Sequence, residues 1–85
     1  MDIAEILATI QQSIHQIENE KLQQEQLLGL FWEHPPALDP EVVGRMMQSI
    51  RDRIRGLEDR RRALLNEEKE LIVELASHIH GGGGN

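Results

Sequence analysis

Residues 39–80 read DPEVVGRMMQSIRDRIRGLEDRRRALLNEEKELIVELASHIH, and the spacing of their apolar positions decides the fold. Val43, Met47, Ile50, Ile54, Leu57, Leu64, Leu71 and Leu75 recur in alternating steps of four and three, with Arg61 and Glu68 at the steps between. An α-helix makes 3.6 residues per turn, so this rhythm draws one lengthwise stripe, the seam of a helix packed along another helix. At about 1.5 Å per residue the stretch is roughly 60 Å long. It needs a partner of similar length.

Upstream, residues 2–33 carry the same rhythm through Ile3, Leu7, Ile10, Ile14, Ile17, Lys21, Gln24, Leu28 and Phe31. Asp2 is placed to cap this helix, with Glu5 three residues on as in a capping box. Lys21 and Gln24 put polar groups on the seam, where such residues fix register at some cost in stability or line a small polar site. Between the helices, His34-Pro35-Pro36-Ala37-Leu38-Asp39 contains two prolines that disfavour helix before them and remove donors. Asp39 as N-cap, Pro40 at the first helical position and Glu41 in the first turn then restart it, with Leu38 and Val43 placed to form a hydrophobic staple. So short a turn makes the two helices antiparallel neighbours.

The expected fold is all-α: a single domain over 1–85, with helix 2–33, turn 34–39, helix 40–80 and a flexible Gly tail over 81–85. The seams meet with Phe31 beside Val43, Gln24 beside Ile50, Ile17 beside Leu57, Ile10 beside Leu64 and Ile3 beside Leu71. Two helices cannot enclose a core of their own, and the second outruns the first. Ile6, Leu65, Ile72, Leu75 and Ile79 are therefore expected to meet a further chain. A homo-oligomer follows, a dimer forming a four-helix bundle or coiled coil being favoured.

Composition sets the outer limits. Hydrophobic residues make up 39% of the chain but aromatic ones only 2%, so the packing is aliphatic, and no alternating run supports a strand. With no cysteine, disulfides and thiolate zinc sites are excluded. No apolar run approaches the ~18 residues of a membrane span, and the chain reads as a soluble, cytoplasmic protein without a cofactor. A net charge of −6 disfavours nucleic acid as a partner.

Three residue groups could carry function. Leu27, Leu30, Trp32, Val42, Met46 and Met47 gather at the turn, and a Trp among flexible Met side chains suits an adaptable protein-binding surface. Arg51, Arg53, Arg55, Arg60 and Arg62, with Arg61, could track an RNA backbone. Asp52, Glu58 and Asp59 are interleaved, however: Arg55 with Asp59 and Glu58 with Arg62 stand four apart, and Glu18 and Glu20 fall opposite, so a self-neutralised face is the simpler expectation. His78 and His80 diverge at a spacing of two, where helix-borne metal ligands want four; His15 and His34 are isolated. Nothing pairs a nucleophile with a base, so no enzyme activity is expected. The expected function is a protein-interaction module: an adaptor, an assembly or secretion-type chaperone, or an inhibitor of a larger complex. The alternatives are an RNA-binding hairpin dimer and a metal-responsive protein using the terminal histidines.

Overall fold

The computed structural model describes residues 2–83, and the side chains of 2–78. It consists of two helices, α1 (Ile3–Glu33) and α2 (Pro40–Gly83), packed lengthwise as an antiparallel hairpin. Each boundary has a local cause. At the start of α1 the Glu5 N–H donates to Asp2 Oδ1 at 2.8 Å and the Ile6 N–H to the Asp2 carbonyl at 3.1 Å. At its end, His34 leaves the helical region, its N–H still donating to the Leu30 carbonyl at 2.7 Å. The Pro36 carbonyl then accepts from the Leu38 N–H at 2.8 Å, a three-residue turn that reverses the chain. Asp39 caps α2 through its Oδ1, which accepts from the Glu41 N–H at 2.9 Å. Leu38 stays exposed, so the expected staple onto Val43 does not bury it.

α2 runs to Gly83, three residues past the end expected at His80. Glycine meets no steric bar to helical geometry. Its cost, about 1 kcal/mol each relative to Ala, lowers the helix's stability without forcing an end. Residues 84–85 of the expected tail, and the side chains of Ile79 and His80, lie outside the described residues.

The core is a single row: Ile10, Ile14 and Ile17 from α1 against Met47, Ile50 and Leu57 from α2. Val43, Ile54, Leu64 and Leu71 extend it half-buried. Ile17 and Leu57 line one groove together with Glu20 and Arg53, in keeping with the register that places Ile17 beside Leu57. Burying the branched aliphatics of that row drives the pairing, at about 1.5–3 kcal/mol for a side chain taken fully out of water. The molecule measures 69 × 20 × 15 Å with a radius of gyration of 19.6 Å, against about 12 Å for a compact domain of this length. Its accessible surface is 6479 Å², where a compact monomer of this mass would expose about 5,100 Å². Most side chains therefore stand at or near the surface, and the functional question is which of them stand together.

Candidate interaction surfaces

A helix turns about 100° per residue, so residues seven apart share a face. That spacing, anchored on the observed bonds, divides the hairpin into two lateral flanks. On one flank Arg53 Nη2 donates to Glu20 Oε2 at 2.8 Å. Seven residues on from Glu20 is Leu27, and seven back from Arg53 is Met46, so these two lie opposite each other two turns nearer the chain reversal. Leu30 is three residues beyond Leu27 and Val42 four before Met46, the distances at which helix side chains are neighbours. Leu27, Leu30, Val42 and Met46 are 37 to 52% exposed. They form one aliphatic patch at the closed end, here called the Met46 flank.

The opposite flank carries Glu18, Glu25 and Trp32 from α1 at steps of seven, and Arg51, Glu58, Leu65 and Ile72 from α2 at the same step. Glu18, Leu22, Glu25, Glu58 and Leu65 line one groove here. Lys21 Nζ bridges Glu25 at 3.4 Å and Glu58 at 3.6 Å, and Arg61 Nε donates to Glu18 Oε2 at 3.0 Å. The Arg51 guanidinium lies 6.0 Å from the centroid of the Trp32 ring, which is 66% exposed. That is the outer limit of a cation–π contact, worth about 0.5–1 kcal/mol at an exposed site.

The six turn residues therefore do not form one site. Met47 is buried at 8% and belongs to the core, because its step of four from Val43 keeps it on the seam. Trp32 is five residues from Leu27, about 140° around α1, and falls on the other flank. The arginines divide likewise. Arg53 and Arg60 line the groove shared with Glu20, Arg51 lies near Trp32, Arg61 holds Glu18, and Arg62 pairs with Asp59 at 3.4 Å. The pairing of Arg62 is at i,i+3 where Glu58 at i,i+4 was expected. Glu58 instead reaches across to Lys21, whose half-buried ammonium gains two carboxylates there.

Of the residues expected at an oligomer contact, Leu65 and Ile72 share the Trp32 flank. Ile6 lies on the other one, fourteen residues before Glu20. Leu75 continues the seam past Ile3, where α1 has ended, and is exposed, as are Ile72 and Val73 at 50% and 57%. His78 Nε2 is 3.9 Å from Glu74, and no group of three metal-ligating side chains occurs among the described residues. Among those residues no helix is long and apolar enough to cross a membrane.

The approach of Arg51 to Trp32 has no short-range sequence signal, since the two are nineteen positions apart. It becomes visible once the seven-residue series of both helices are drawn together. Comparison with protein-family models, curated proteins and solved structures found no match to this chain.

Proposed function

We propose that this chain is a small helical interaction module that binds another protein through the Met46 flank, serving as an adaptor, an assembly or secretion-type chaperone, or an inhibitor of a larger complex. One observation carries the reading. Leu27, Leu30, Val42 and Met46 stand side by side and exposed on two helices that the Pro-rich turn holds in fixed relation. Isolated exposed aliphatics are ordinary, whereas a contiguous group marks a contact surface. The occupant that fits is an amphipathic helix laying apolar anchors at i, i+3 and i+4 across these side chains. Met46 can adapt its unbranched side chain to such anchors. Arg53 and Glu20, next along the flank, would supply the polar rim.

The RNA reading loses support from the placement of its arginines, which lie on both flanks, with Arg53, Arg61 and Arg62 on carboxylates and Arg51 near Trp32, so they draw no continuous basic track. Among the described residues the metal reading keeps only the His78–Glu74 pair.

Leu30→Glu combined with Met46→Glu places two charges in the patch without touching a core residue. Captured from its native lysate, the wild-type chain is expected to bring down a stoichiometric protein that this variant loses, while circular dichroism shows unchanged helix. Equal capture by the variant would remove the Met46 flank as the site.

A further inference from the structure

Seam residues lean alternately toward one flank and the other. Ile17 and Leu57 line the groove of Glu20 and Arg53, so the seven-residue series through them, with Ile3 and Ile10 on α1 and Leu64 and Leu71 on α2, leans toward the Met46 flank. The alternate series leans toward the Trp32 flank and includes Lys21, Arg61 and Glu68. Toward the open end, the floor of the Met46 flank is therefore aliphatic where that of the other flank is charged. Ile3, Leu64 and Leu71 are only half-buried by the hairpin itself.

The α2 edge of the same flank is polarised. Counting in sevens from Arg53 gives Arg60, Glu67 and Glu74, with Glu70 beside the two glutamates at steps of three and four, and all five are exposed. The sign changes near Ala63 and Leu64. Two copies laid antiparallel across that point set each Arg-bearing half on a Glu-bearing one. With their open ends together, these glutamates would face their own equivalents or Ile6.

We propose that the open-end half of the Met46 flank binds a second copy of this chain, α2 across α2 and α1 across α1, about a twofold axis near Ala63 and Leu64. Arg60 then meets Glu67 of the second copy and Arg53 meets its Glu74, each pair occurring twice. On the side toward α1, Leu57 comes level with Leu71 of the second copy, and Leu64 with its own equivalent. Carried to α1 through the Arg53–Glu20 bond, the same axis passes near Ile10 and sets Ile3 level with Ile17, and Ile6 level with Ser13, of the second copy. The product is a four-helix bundle cored by the aliphatic floor, with the small Ala63 and Ser13 letting the helices close in. α2 overlaps its equivalent over roughly 50 Å and α1 over roughly 20 Å, and strips of that length, each about 10 Å wide, approach the ~800 Å² per partner of a stable interface. Apolar burial supplies the affinity, while the ion pairs, each worth little, select the antiparallel orientation. Leu27, Leu30 and Val42 lie beyond the ends of the second copy's helices, and Met46 comes level only with its terminal glycines. The patch assigned to the protein partner thus stays open at each end of the bundle, and the self-contact is tested without it.

Arg60 and Glu67 are exposed, so reversing their charges leaves the hairpin core untouched. Sedimentation equilibrium is expected to show the 9.7 kDa mass doubling with concentration. Arg60→Glu should raise the dimer Kd about ten-fold, as should Glu67→Arg, each with unchanged helix by circular dichroism. Mixed one to one, the two variants restore opposite charges at both contacts and should form a heterodimer with a Kd near that of the wild type. Ile72→Glu, on the Trp32 flank, should leave the dimer as it is. A monomer at every concentration up to the solubility limit overturns the proposal, as does a dimer indifferent to Arg60→Glu, a mixture that binds no better than its components, or a dimer lost on Ile72→Glu.

Discussion

Gly56 occupies the middle of α2, and a Cβ built there would meet nothing within 4 Å. Its backbone is helical without a positive φ, so nothing in the hairpin itself requires glycine. Gly56→Ala is expected to raise stability by about 0.5–1 kcal/mol, read as a higher urea midpoint at unchanged slope. Asp39 makes the opposite case. Its carboxylate holds the Glu41 N–H, and Asp39→Ala should lower stability by about 1 kcal/mol in the same titration. Ile14, buried between the helices, should cost about 2–5 kcal/mol as Ile14→Ala, enough to unfold much of a hairpin with one row of core. Both cap residues were legible in the sequence because capping is local chemistry: Asp2 and Asp39 act on backbone N–H groups two or three residues away. Arg51 was not, since its ring contact depends on long side chains leaning toward each other from different helices.

At the scale of the element, the four-three rhythm contained the antiparallel pairing, and the buried residues of α1 and α2 fall on it without exception. A seam states only what points inward. Which of two lateral faces an off-seam residue occupies depends on its signed angle from the seam, and for that reason Leu27, Trp32 and Met46 read as one cluster although Trp32 stands apart. The end of α2 was also misplaced by three residues, since glycine weakens a helix without having to break it. Lys21 tests the seam itself. It is half-buried between Glu25 and Glu58, and those two exposed carboxylates contribute little in water. Lys21→Leu should stabilise the hairpin by about 1 kcal/mol in thermal unfolding while loosening the register, seen as broader amide signals around Glu58. A loss of stability would mean that the Lys21 bridges outweigh the apolar gain.

The whole molecule is a rod with one row of core and two unlike flanks. One carries an aliphatic patch at the closed end; the other carries an exposed tryptophan at one end and bare aliphatics at the other. Its acidic sum hides an Arg-rich middle, where Arg53, Arg61 and Arg62 are paired with carboxylates. Such a shape gives a large surface for few residues, which suits a protein that acts by holding others. The measurement that tests this most directly is affinity capture from native lysate with and without nuclease, followed by native mass spectrometry of what is retained. A protein partner that survives nuclease at one copy per hairpin is the expected result. Material that disappears with nuclease, or recovery of the bait with no other protein, would contradict the interaction-module reading.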